Sequence, residues 1–134
     1  MNIIFDIDGT IISKDDILRP DVKEVFQYLK TKKHKVYLWS AGGIDYADKV
    51  ANSHNLTSLL VGILPKGLKL NIEPDIVVDD NIDLINYYNE KGTFSIKVPF
   101  YEPAIGDSYP VMLSVLGHIC LQPIIQKRYI NHQK

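Results

Sequence analysis

The sequence predicts an α/β chain, a doubly wound parallel sheet of about five strands with helices on both faces. Short apolar runs at residues 2–7, 36–39, 59–64, 76–78 and 94–98 have the length of buried strands, and turn-forming or polar residues bound them. Helical stretches alternate with these runs, which demands right-handed crossovers and a parallel sheet. Acids and small polar residues follow several of the runs directly, and such sheets bind ligands beyond the carboxyl ends of their strands.

The first strand, residues 2–7, leads into Asp8-Gly9-Thr10. Thr10 to Leu18, with polar Ser13-Lys14-Asp15-Asp16 at its tip, has the pattern of a short hairpin or flap. Arg19-Pro20-Asp21 should open the first helix, with proline in the first turn and an acid near the positive end of the dipole. Val22, Val25, Phe26 and Leu29 then recur at helical spacing, and the cationic run from Lys30 to Lys35 suits the helix end. Val36–Trp39 is the second strand, stopped by Ser40-Ala41-Gly42-Gly43, and a helix is expected from about Ile44 to Ser53. Leu59–Leu64 is the third strand, broken by Pro65-Lys66-Gly67. Ile76–Val78 is the fourth, followed by Asp79-Asp80-Asn81 and a helix from Ile82 to about Asn89. Phe94–Val98 is the fifth. A turn-rich loop, residues 99–110, precedes a last helix expected over Val111–Leu121, with Pro123 beyond it and a polar end, frayed or disordered, after Gln126.

A chain of 134 residues is one domain, here a core of about residues 2–98 and a C-terminal loop and helix over 99–134. Its 46% apolar content marks a globular chain, and a formal charge of −1 gives no electrostatic footprint for nucleic acid or an anionic membrane. Cys120 is alone and lies in an apolar stretch, so a buried, reduced thiol is expected. The first strand begins almost at Met1 and no apolar run reaches the ~18–20 residues needed to cross a bilayer, so a cytoplasmic protein without membrane contact is the default. His34, His54, His118 and His132 show no ligand spacing.

Four strand ends carry polar groups: Asp6 and Asp8 on the first, Ser40 on the second, Lys66 after the third, and Asp79, Asp80 and Asp83 after the fourth. Like charges side by side gain nothing in folding, so a cation is expected among them. Carboxylates, a hydroxyl and an ammonium on one rim suit a phosphoryl group held with a hard cation such as Mg²⁺, which takes one or two carboxylates plus phosphate oxygens and water.

In this order the set resembles the haloacid dehalogenase superfamily of phosphohydrolases. Phe5-Asp6-Ile7-Asp8-Gly9-Thr10 is similar to its first motif, Ser40 to its second, Lys66 to its third, and Val78-Asp79-Asp80-Asn81-Ile82-Asp83 to its fourth. The resemblance covers residues 2–98 and implies a Rossmann-like core and a Mg²⁺-dependent phosphomonoesterase. Asp6 would be the nucleophile that forms an aspartyl-phosphate. Asp8 would protonate the leaving oxygen and then activate water. Asp6, the Asp8 carbonyl and Asp79 would hold the metal. Ser40, with backbone N–H groups near Ala41 and Ile7, would bind phosphoryl oxygens, and Lys66 would neutralise both Asp6 and the transferring group. Gly9, Thr10, Gly42, Asp80 and Asp83 would complete the substrate contacts. Family members that cleave carbon–halogen bonds lack the second Asp, so Asp8 favours phosphate esters.

Some positions keep alternatives. Ser40 also stands where a cap for the next helix belongs, and Lys69 rivals Lys66. The interval from Lys66 to the fourth strand leaves little room for a full helix. Neither usual point of cap insertion holds a cap domain, so the site should be open. It would be covered by a bulky phosphorylated substrate, even a macromolecule, or by a second copy of the chain, with nucleic acid disfavoured by charge. Phe100, Tyr101, Tyr109 and Tyr129 would serve as core packing or as a lid. A slow phosphate-binding or regulatory module is the competing function, and a phospho-receiver domain fits poorly because its phospho-accepting Asp follows the third strand.

Overall fold

Ile3 to Asp6 are all buried, which a strand achieves with neighbours on both edges and layers on both faces. The computed structural model, which describes residues 1–67 and 70–132 (the last helix's side chains only to Gln122), places this strand, β1 (Asn2–Asp6), at the centre of the sheet. β2 (Lys35–Ser40) and β4 (Ile76–Asp79) flank it, with β3 (Gly62–Pro65) outside β2 and β5 (Phe94–Lys97) outside β4. All four pairings are parallel, in the order β3-β2-β1-β4-β5. Phe5 pairs with Val78, so the next residues along, Asp6 and Asp79, leave the sheet side by side.

Alternation sorts the strands' side chains onto two faces. Ile3, Phe5, Val36, Leu38, Ile76 and Val78 share a core with α1 (Val22–Thr31), α2 (Ile44–Ser53) and α4 (Val111–His132). Ile4, Tyr37, Trp39 and Val77 form a smaller cluster with Tyr88 of α3 (Ile82–Glu90). The described part of the 66–75 connection contains no helix and supplies Leu70 and Ile72 to this smaller cluster. Its brevity was legible, and the sheet is correspondingly sparsely covered there.

Several boundaries differ from expectation. α1 begins at Val22: Asp21 adopts φ 70° and makes no side-chain cap, while Arg19 is drawn into the interior. The third apolar run divides into a short 3-10 turn, Thr57–Leu59, and β3. The last helix does not stop before Pro123 but continues to His132. A proline forfeits one backbone bond and crowds the carbonyl four residues back, which can bend a helix without ending it. Cys120 is exposed, contrary to expectation. Val111, Met112, Val115 and Ile119 define the buried stripe of α4, and Cys120 is one residue, about 100°, out of phase with it.

The hairpin expected after β1 is present. Ile12 and Leu18 form an antiparallel bridge, and the Ser13 N–H donates to the Ile17 carbonyl at 2.9 Å. Tyr101 is buried as core packing, whereas Phe100 and Tyr109 are about half exposed, and the Tyr129 side chain lies outside the described residues. No helix among the described residues is long and apolar enough to cross a membrane.

Candidate active site

The rim at the carboxyl ends of β1 and β4 concentrates charge that the fold must compensate. Asp6 and Asp79 are both buried, and the Lys66 ammonium reaches between them, 3.0 Å from Asp6 Oδ1 and 3.1 Å from Asp79 Oδ2. The Tyr88 hydroxyl donates to the Gly67 carbonyl at 2.8 Å and so anchors the turn beside Lys66 to α3. Lys69 lies outside the described residues.

Asp80 completes an acidic trio: one oxygen each of Asp6, Asp79 and Asp80 lie within 4.8 Å of one another. Thr10 is fully buried beside them, its hydroxyl 3.4 Å from both Asp6 Oδ2 and Asp80 Oδ1, so it braces the carboxylates. Asp79 Oδ1 accepts the Asn81 N–H at 2.9 Å. The Asn81 side chain caps α3 by accepting from Asp83 and Leu84. Asp83 itself is exposed on the first turn of α3, outside the trio. The adjacent pair Asp79-Asp80 supplies the acids that converge.

Burial, reinforced by Asp79, pushes the Asp6 carboxyl up to about 8 against the opposing pull of Lys66. Burial likewise raises Asp79. Burial works against the Lys66 ammonium, but Asp6 and Asp79 outweigh it and hold its pKa above the ordinary value. One ammonium is thus set against three carboxylates. Asp79 Oδ2, fully buried, meets Lys66 as an ion pair yet accepts no aligned hydrogen bond among the described residues. That under-satisfied oxygen beside two further carboxylates fits a hard divalent cation, whose opposite oxygen ligands stand roughly 4–5 Å apart.

The second half of the rim is tied to α2. Asp8 is half-buried, and its Oδ1 accepts a 2.6 Å hydrogen bond from the Tyr46 hydroxyl. Its Oδ2 lies 3.4 Å from Ser40 Oγ, which accepts the Gly42 N–H at 3.0 Å. Ser40 therefore touches Asp8 and shapes the turn into α2 at once. Ala41 and Gly42 are exposed at this turn, and Gly43 adopts φ 97°, a conformation that requires glycine before the helix.

Gly9, at φ 82°, is covered: a Cβ there would fall inside the Phe100 ring. Arg19, fully buried, donates to the Gly9 and Thr10 carbonyls at 3.3 and 3.1 Å. The same guanidinium grips Asp107 through Nε and Nη2 at 3.1 and 2.9 Å and lies 5.3 Å from the Tyr101 ring centroid. It thereby fastens the 99–110 loop to the turn after β1. Sequence reasoning missed Arg19 and Tyr46. Arg19 passed as a helix opener and Tyr46 as one apolar-side residue of α2, and neither carried a local pattern to mark it.

The match of residues 3–93 to the family of haloacid dehalogenase-like hydrolases decides the assignment. The chain belongs to this family. A solved haloacid dehalogenase-like hydrolase from Streptococcus pneumoniae has a similar fold, with a TM-score of 0.64 at 15% identity over 88% of this chain and 97% of that one. No curated protein matches the sequence. The residues carried by the family's motifs therefore occupy one rim here, with Asp6, Lys66, Asp79 and Asp80 in one cluster and Asp8 and Ser40 in the other.

Proposed function

We propose that this haloacid dehalogenase-like hydrolase is a Mg²⁺-dependent phosphomonoesterase acting through an aspartyl-phosphate on Asp6. The observation that carries the reading is Lys66 inserted between Asp6 and Asp79 with a third carboxylate, Asp80, beside them. A carboxylate attacks an anionic phosphate only where positive charge offsets the repulsion between them. Asp6, Asp79 and the Asp8 carbonyl would hold the cation, with Asp80 braced close by. Bound there, Mg²⁺ supplies charge that favours the ionised Asp6 and neutralises phosphoryl oxygens.

A carboxylate oxygen of Asp6 attacks phosphorus as the bond to the leaving oxygen breaks, and that oxygen takes a proton from Asp8. In the second step water attacks the same phosphorus, Asp8 takes its proton, and the Asp6–phosphorus bond breaks to release phosphate. Lys66 stays paired with Asp6 and stabilises charge through both steps. Ser40 donates to a phosphoryl oxygen. The hairpin around Ser13–Asp16 is too small to close the rim alone, which suits a substrate whose own bulk, such as a phosphorylated macromolecule, excludes water.

The test is phosphate release from p-nitrophenyl phosphate with Mg²⁺ and with chelator. Release that requires the metal, and that falls at least about a thousandfold in Asp6→Asn, is expected. No release from a broad panel of phosphate monoesters would overturn the enzymatic reading in favour of a phosphate-binding module.

A further inference from the structure

Of the two halves of the rim, the one around Asp8 contains a group that the catalytic scheme leaves without a role. Tyr46 stands in the first turn of α2, half-buried, with its hydroxyl 2.6 Å from Asp8 Oδ1. That is a short, charge-assisted contact. The approach of the ring depends on Gly42: a Cβ at that position would lie 2.9 Å from Tyr46 Cδ2 and 3.2 Å from Cγ. The turn that sets Ser40 is therefore also the slot that lets Tyr46 reach across to β1. A phenol hydroxyl this close to a carboxylate oxygen is the donor of the pair.

We propose that Tyr46 is the positioning residue for Asp8: it holds Oδ1 and so assigns Oδ2 as the oxygen that carries the transferred proton. The two oxygens of Asp8 are not equivalent. Oδ1 is occupied by a hydroxyl that cannot leave without moving the ring out of its glycine slot. Among the described residues Oδ2 meets only Ser40 Oγ, at 3.4 Å, the group assigned to a phosphoryl oxygen. Oδ2 therefore faces the reacting phosphorus while Tyr46 keeps the carboxyl from rotating. Oδ2–H gives its proton to the departing oxygen in the first step, and the Oδ2 carboxylate takes one from water in the second. Tyr46 touches neither substrate nor metal and acts through Asp8 alone. This inference rests on the reading of Asp8 as the acid and base of a phosphomonoesterase.

A positioning role predicts an effect that depends on the leaving group. Phenyl phosphate and p-nitrophenyl phosphate have similar shapes, but nitrophenolate departs readily without a proton and phenolate does not. In Tyr46→Phe, kcat/KM should fall about tenfold for phenyl phosphate and no more than about twofold for p-nitrophenyl phosphate. Asp8→Asn should show the same bias more strongly, and melting temperature should report whether each variant is folded. Should Tyr46→Phe fail to fold, Gly42→Ala, which presses on the same ring, should reproduce the bias. Equal losses on both esters, a pure rise in KM, or no loss at all would overturn the assignment while leaving Asp6-dependent turnover standing. Wild-type protein that hydrolyses neither ester would remove both this inference and the function on which it rests.

Discussion

One face of the sheet lies under α1, α2 and α4, and there Ile3, Phe5, Val36, Leu38, Ile76 and Val78 join a continuous core. On the opposite face Ile4, Tyr37, Trp39 and Val77 meet α3 and the short 66–75 connection. By alternation Asp6 and Asp79 project from this sparser face, where Lys66 reaches them, while Asp8 is tied to α2 on the richer one. The division separates two tasks. The helix-rich face supplies most of the buried apolar area and so most of the driving force for folding. The sparse face carries the charged cluster, covered by a connection short enough to deliver an ammonium to the ends of β1 and β4.

Arg19 gives the sharpest way to break that contrast. It belongs to the helix-rich side, where it links the turn after β1 to Asp107. Arg19→Met should cost about 3–5 kcal/mol in urea unfolding, because it leaves Asp107 unpaired and takes the donor from the Thr10 carbonyl, while the Gly9 carbonyl keeps the Tyr101 N–H. A loss under about 1 kcal/mol would mean that packing and the Tyr101 N–H to Gly9 carbonyl bond hold the 99–110 loop to the rim without Arg19.

Ile3 and Ile4 test the faces directly. They are successive residues of one strand, both wholly buried, and they point to opposite sides. Replacement of a buried isoleucine by alanine costs about 2–5 kcal/mol, more where the surroundings cannot collapse into the cavity. Ile3→Ala should fall near the upper end, because three helices fix its surroundings. Ile4→Ala should fall near the lower end, because the 66–75 connection can move inward. Equal values from chemical denaturation would break the contrast.

These asymmetries mark where the sequence is readable. Strand ends were legible because the chain must change residue class where a buried strand meets a ligand-binding rim, as Asp6, Ser40 and Asp79 do. Their register was not, since Phe5 opposite Val78 is set by long-range pairing. Arg19 and Tyr46 were misread for the same reason: each is defined by a partner distant in sequence, Asp107 for one and Asp8 for the other, and composition near them is ordinary. α4 was cut short at Pro123 because proline is only a statistical stop. Cys120 was placed inside by its apolar neighbours, although helical phase, once the buried stripe of Val111, Val115 and Ile119 is known, puts it outside.

The charged cluster makes the sparse face pH-sensitive. Asp6 has a folded-state pKa of about 8 against an ordinary value of 3.8. The native state therefore binds this proton more tightly than the unfolded chain. Its stabilising contribution is fully present below the unfolded value and is lost as pH rises through the folded one. Asp79, raised in the same direction, adds to the trend. Without metal, melting temperature should therefore decline from about pH 5 to about pH 8.5, and Asp6→Asn should flatten the slope without abolishing it. Added Mg²⁺, if the proposed site holds it, should stabilise more at the upper pH, where the carboxylates that would bind it are ionised. A metal-free melting temperature that rises over this interval would contradict the electrostatics assigned to the rim.

The smallest expected effect on stability bears most closely on how the sparse face serves the site. The Tyr88 hydroxyl fixes the Gly67 carbonyl, one residue beyond Lys66, and its ring lies in the cluster with Trp39 at 5.8 Å between centroids. Tyr88→Phe keeps the ring and removes one hydrogen bond, which should cost only about 0.5–1.5 kcal/mol. Turnover should suffer more than stability, by about three- to tenfold, because an ammonium slightly displaced from Asp6 and Asp79 loses electrostatic effect steeply in a buried setting. Unchanged turnover in a slightly destabilised variant would place the burden on Leu70 and Ile72, whose packing would then hold Lys66 in place without help from α3. A loss in turnover at nearly unchanged stability would instead identify α3 as the element that aims the lysine, and would explain how a face without a helix behind the 66–75 connection still presents an ordered charge.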